Sequence, residues 1–275
     1  TYSRNQEREE DRIGMQYMYR AGYNPQSMAD FFEVMHRSTS RVSFLPDFWL
    51  THPLTTERMS EARLRANQLP QVKTSLVDQD FEILRWYSRV LSGQATELQL
   101  NAMVAQKNYA AELALVSLHI KQGDFSAAQK LLNEAAKQNA SHALFTILQT
   151  DVLLGQNKTA DAVNAVKSSA IIMPENRALN YKYAEALIRN KEYAQAQLIL
   201  QRFLQANPRD LSGWRLMLQM ADADKDASFR SVNVLRYRAE VEYWGGDEER
   251  AIKSLLQAQR IAKDSKSLAA KIKQR

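Results

Sequence analysis

Gly123-Asp124-Phe125-Ser126-Ala127-Ala128, Lys158-Thr159-Ala160-Asp161-Ala162 and Lys191-Glu192-Tyr193-Ala194-Gln195-Ala196 decide the fold, because they are one pattern written three times. Their closing alanines stand 34 residues apart. Four residues beyond each alanine comes a larger apolar side chain: Leu132, Val166 and Leu200. Twelve beyond come Ala140, Pro174 and Pro208, so the prolines keep the same interval. A small residue near the start of a helix lets a second helix approach closely, and the large residue one turn on fills the space so made. Proline past the helix end cannot continue it. These positions call for helix pairs, each burying the face that its neighbour leaves open.

The interval and its positions match the A-x3-F…P portion of the tetratricopeptide pattern, with aliphatics in place of Phe. The first helix departs from it, since Glu112, Thr146 and Asn180 occupy the Trp positions. A further unit, Gly246-Asp247-Glu248-Glu249-Arg250-Ala251 with Leu255, lies 55 residues after Ala196. Trp214 and the polar run Asp222-Ala223-Asp224-Lys225-Asp226 fill the interval, which predicts an irregular repeat whose second helix is truncated or merged with the next. Upstream, residues 78–106 read as one more pair around Ser92-Gly93. Only 8 Gly and 6 Pro occur, and helix-forming Ala, Leu, Gln, Lys, Arg and Glu dominate. The expected class is all-α: a tetratricopeptide solenoid over 70–275, regular over about 108–208 and irregular over 209–275.

Such an array presents a concave groove lined by the first helix of each pair. Counted back from the alanines, the groove positions are Leu113, Ser117 and Lys121, then Ile147 and Asp151, then Tyr181, Glu185 and Arg189. Apolar groups with charges of both signs suit an extended or unfolded polypeptide. The repeated Lys and Asn of a carboxylate clamp for chaperone tails are missing. Any one of these residues also reads as an ordinary exposed helix position.

Composition narrows the function classes. There is no cysteine, so disulfides, thiol catalysis and Cys-bound zinc are excluded. No apolar run reaches the length of a membrane-spanning helix. The formal net charge is +6. Part of it sits in the tail, where Arg260, Lys263, Lys266, Lys271, Lys273 and Arg275 face only Asp264. Without interleaved aromatics or a nucleic-acid motif, this reads as a solvated helix end and not as a nucleic-acid surface. The opening TYSRNQEREEDRIG has no signal-peptide layout and reads as the middle of a helix, as if the chain began inside a longer parent.

Residues 1–69 lack the repeat. Pro25, Pro46, Pro53 and Pro70 punctuate them, and Phe31, Phe32, Phe44, Phe48 and Trp49 enrich them in aromatics. A helix stopping near Gly22, a second starting at Asn24-Pro25, and a third near 56–67 are expected, with Leu69-Pro70 as the boundary. Glu7 and Asp11 are four apart and project from one helical face. One could ligate zinc while the other orients a neighbouring ligand. The same spacing, with Arg4, Arg8 and Arg12 interspersed, also serves a salt-bridged surface helix. Thr51-His52-Pro53-Leu54, followed by Arg58-Met59, holds a lone His of the kind that is usually structural.

Taken together, the E-x-x-x-D segment, Gly14, the Ala21-Gly22-Tyr23-Asn24-Pro25 turn and the His-Pro-x4-Arg-Met segment resemble the CAAX-prenyl-protease-like zinc metallopeptidases. The following repeats are closest to their periplasmic branch in Gram-negative bacteria. The resemblance implies that residues 1–69 are the C-terminal portion of the peptidase domain. It implies Glu7 as third zinc ligand, Asp11 as the carboxylate behind the ligands that orients them, and His52 as a histidine that stabilises an oxyanion or regulates access near zinc. It further implies a periplasmic location, and clients that are outer-membrane β-barrel proteins or their assembly machinery. Such enzymes take two ligands and a base from H-E-x-x-H, and none of His36, His52, His119 and His142 lies in that motif. Zinc is therefore expected in the full-length parent and not retained by this chain, which is expected to be inactive alone. The alternative is a non-enzymatic tetratricopeptide adaptor whose first seventy residues cap the array. An upstream H-E-x-x-H helix separates the two readings.

Overall fold

The computed structural model describes residues 4–39, 56–70, 72 and 76–262. Among them every regular element is a helix. The chain divides into two compact units, Thr1–Asp80 and Phe81–Arg275.

The first unit contains α1 (Arg4–Arg20), α2 (Gln26–Thr39) and α3 (Thr56–Gln68). Gly22, at φ +84°, turns the chain after α1. The side chain of Asn24 then caps α2, its Oδ1 accepting from the Gln26 amide at 3.0 Å. α3 packs on both α1 and α2. The shared core is small: Met15, Ala29, Phe32, Ala62 and Ala66. Charge stitches its margin, with Arg63 paired to Asp30 and Glu33, and Arg8 to Glu57.

The second unit begins with α4 (Leu76–Leu91), most of which it contains, and α5 (Glu97–Val104), with Gly93 at φ +73° in the turn between them. Three regular pairs follow: α6 (Tyr109–Gln122) with α7 (Phe125–Asn139), α8 (Ala143–Gly155) with α9 (Thr159–Ile172), and α10 (Arg177–Arg189) with α11 (Tyr193–Ala206). The small residues predicted at the close approach, Ala128, Ala162 and Ala196, are fully buried, as are Val166 and Leu200, with Leu132 nearly so. First helices α6, α8 and α10 also lie side by side, which gives the solenoid its continuous spine.

Two features of the repeat emerge only in three dimensions. The turn inside each pair holds one left-handed residue, Gly123, Asn157 or Lys191, again 34 apart. The polar residues at the Trp positions are all buried, and each reaches its own repeat's second helix. Glu112 accepts from Gln138 Nε2 at 2.8 Å, Thr146 meets Ser169 Oγ at 3.4 Å, and Asn180 Oδ1 meets Arg202 Nη2 at 3.4 Å. The repeat thus replaces an indole with a hydrogen bond.

Beyond Pro208 come α12 (Leu211–Ala223), α13 (Arg230–Trp244) and α14 (Glu248–Ile261). α13 is a full helix, not a truncated one, and it packs on both α12 and α14. It therefore serves at once as the second helix of one pair and the first of the next. Trp214 falls 34 residues after Asn180, at the Trp position, where its indole N–H donates to Pro208 O at 2.8 Å.

Candidate functional site

Glu7 and Asp11 occupy consecutive turns of α1 and face α3, where Arg58 meets both. Arg58 Nε and Nη2 each donate to an Asp11 oxygen at 2.8 Å, a two-pronged grip that fixes the carboxylate plane. Its third nitrogen, Nη1, lies 3.3 Å from Glu7 Oε2. The guanidinium also stands 5.6 Å from the ring centroid of Phe32 on α2. All three charged side chains are largely enclosed; Glu7 is only 5% exposed. The hydrogen bonds to Asp11 are the largest influence on Arg58; with the nearby carboxylates they outweigh burial and raise its pKa.

The helices place this cluster by several independent ties. Arg65 Nη1 on α3 donates at 3.1 Å to the carbonyl of Arg8 on α1, the residue after Glu7. The alternative of a solvated, salt-bridged surface fits Arg12 and Glu9, which pair in the open. It does not fit Glu7, whose carboxylate is buried against a guanidinium.

A carboxylate oxygen is a suitable zinc donor, and Glu7 would contribute one. A tetrahedral centre needs more. No group of three or more His, Asp or Glu side chains placed to hold a metal occurs among the described residues. What they show is one enclosed carboxylate, Glu7, beside an arginine that Asp11 grips. His52 lies outside the described residues.

The predicted groove positions fare unevenly. Leu113 is completely buried and shares an apolar cluster with Ile83, Trp86 and Val90 of α4, so the preceding pair covers it and it has no surface to offer. Ser117 is buried as well. Tyr181 is 8% exposed, and its hydroxyl donates to Asp210 Oδ2 at 2.9 Å, so it ties repeats together. Burial first, then the Asp210 carboxylate, pushes that phenol up to about 12. Ile147 is half-buried against the core. Lys121 is exposed and reaches the carbonyl of Leu91 at 3.4 Å, and Arg189 is exposed.

Asp151 and Glu185 are brought together by a residue that the spacing did not single out. Lys182 Nζ lies 2.6 Å from Asp151 Oδ1 and 2.7 Å from Glu185 Oε2. Burial pushes the Asp151 carboxyl up in spite of the ammonium. The charges of Asp151 and Lys182 also act on the Tyr87 phenol of α4, which burial chiefly raises. Tyr87, Asp151, Lys182 and Glu185 thus form a partly enclosed polar group.

Residues 1–66 match the model of peptidase family M48, and residues 113–170 and 153–220 match models of the tetratricopeptide repeat. The beta-barrel assembly-enhancing protease of Yersinia pestis is 31% identical over 225 residues, covering 80% of this chain and 46% of that protein. The Escherichia coli K12 protein of the same name gives the same identity and coverage. A putative beta-barrel assembly-enhancing protease of Vibrio cholerae is 27% identical over 233 residues, or 78% of this chain and 46% of its own. The chain spans about half the length of the curated relatives it matches. A solved tetratricopeptide repeat protein from Parabacteroides merdae aligns with a TM-score of 0.41 at 15% identity, over 71% of this chain and 97% of its own. The chain is therefore a relative of the beta-barrel assembly-enhancing proteases, joining a segment of peptidase family M48 to a tetratricopeptide array.

Proposed function

We propose that this chain is part of a zinc metalloendopeptidase acting in quality control of outer-membrane protein assembly in the periplasm. Its metallopeptidase portion is residues 1–69 and its recruiting repeats are 70–275. Glu7 holds zinc, Asp11 and Arg58 fix Glu7, and His52 stands near the reacting centre. When bound, the metal supplies Lewis acidity and an acidified water. The chain's own part is positional. Arg58 anchors on Asp11 and meets one Glu7 oxygen, Oε2, so Glu7 keeps a set direction and part of its charge is offset before any metal binds. The mixed groove wall of Asp151, Lys182 and Glu185 suits extended client polypeptides or the assembly machinery.

The observation that carries this reading is Arg58 gripping both carboxylates within the segment that matches the M48 family. In the full-length parent, Glu7→Gln should abolish proteolysis while circular dichroism stays unchanged. Arg58→Lys keeps the charge but loses the fork, and should weaken zinc retention against a chelator by about 10- to 100-fold. Normal proteolysis by Glu7→Gln would remove Glu7 from the site.

A further inference from the structure

The repeat interval fails after α11, and a cleft lies between the last regular pair and the helices that follow it. The regular second helices close on their partners through buried alanines. Thirty-four residues after Ala196 stands Arg230, at the start of α13, whose guanidinium turns out to the carbonyl of Asp222 at 2.7 Å. An open cleft of about 410 Å3 is lined by α11, α12, α13 and the turn at Pro208. That volume falls within the roughly 300–1,000 Å3 of ordinary ligand sites. Leu204, Trp214 and Met217, all buried, form its floor. The Trp214 N–H is already given to Pro208 O, so the indole offers the cleft no donor.

The rim is polar. Gln201 and Gln205 stand one turn apart on α11, both exposed. Arg236 lines the opposite wall, its guanidinium 5.8 Å from the Tyr237 ring centroid and donating to Asn233 Oδ1 at 3.3 Å. No carboxylate is among the lining residues. One cation facing an apolar floor without an anion is complementary to an apolar group carried beside a negative charge.

We propose that this cleft is a peptide-binding subsite for an extended segment in which a Phe- or Leu-sized side chain is followed closely by Asp or Glu. The apolar side chain fills the floor, the carboxylate meets Arg236, and the glutamine amides take the peptide backbone. The proposal rests on the polypeptide-recruiting reading of the repeats and gives it a sequence preference.

The test uses the full chain and the synthetic peptide Gly-Ser-Phe-Asp-Gly-Ser, with counterparts carrying Lys for Asp or Ala for Phe, followed by calorimetry. The Phe-Asp peptide should bind at least about tenfold more tightly than either counterpart. Arg236→Glu should reverse the preference toward the Lys peptide. Gln205→Trp should cover the mouth and abolish binding with unchanged circular dichroism. Equal affinity for the Asp and Lys peptides, indifference to either substitution, or no binding at millimolar peptide would overturn the subsite. Capture of an unfolded β-barrel polypeptide is measured in parallel. Capture that survives in Gln205→Trp overturns the subsite and leaves the recruiting reading standing, whereas no capture by the unaltered chain sinks both.

Discussion

Asp210 shows how much one carboxylate can do in this array. Its Oδ1 caps α12 by accepting from the Ser212 and Gly213 amides at 3.0 and 3.2 Å, and it also takes Arg177 Nη2 at 2.8 Å. Its Oδ2 accepts from Arg177 Nε and from the Tyr181 hydroxyl. Burial would push the carboxyl up, but Arg177, the Gly213 amide and Tyr181 outweigh it and hold it below the ordinary aspartate value. A depressed folded-state value means that the stabilisation is present above the unfolded value of about 3.9 and is lost as pH falls through the lower, folded one. Asp210→Ala should therefore cost about 2–3 kcal/mol at neutral pH, from a lost cap and a stranded buried hydroxyl. Denaturant midpoints across pH should show the gap to the unaltered chain closing only below about pH 4. A gap that persisted undiminished in strong acid would assign the loss to packing. The sequence marked Tyr181 as a groove residue because its helical position is right. What turned it inward is a partner 29 residues away, which periodicity along one helix does not encode.

Within an element pair the sharpest constraint is the turn. Gly123 takes its left-handed conformation without cost, Asn157 tolerates it, and Lys191 adopts it at φ +64° against its Cβ. Lys191→Gly should stabilise the array by about 1 kcal/mol, read as a higher urea midpoint with an unchanged slope. An unchanged or lowered midpoint would mean that the lysine is not strained there. Helix pairing was legible in the sequence because close approach demands small side chains, and those recur at a fixed interval whatever else varies. The part that Glu112, Thr146 and Asn180 play in pairing was not legible, since their hydrogen bonds to the second helix stand in for an indole without resembling one. Trp214 could have been placed by the same interval from Asn180. For α13 the spacing left a truncated helix and one merged with the next as alternatives, because the choice depends on which faces remain open once α12 and α14 are docked.

For the molecule as a whole, removing residues 71–275 from the full-length parent should abolish capture of an unfolded outer-membrane β-barrel polypeptide in a crosslinking assay. Undiminished capture would place recruitment outside the repeats. The all-helical architecture and the pairing of Glu7 with Asp11 on one face were readable from spacing. The part of Arg58 was not, since its partners lie 47 and 51 residues away and only the docking of α3 on α1 joins them. The shared helix α13 bears on how such a chain can lengthen. A duplicated 34-residue unit inserted between α9 and α10 meets the same neighbours as the original, so each new face is covered as it forms. The same duplication inside α12–α14 would leave one side of α13 bare. Insertion of whole units is thus accommodated in the regular stretch and not within α12–α14.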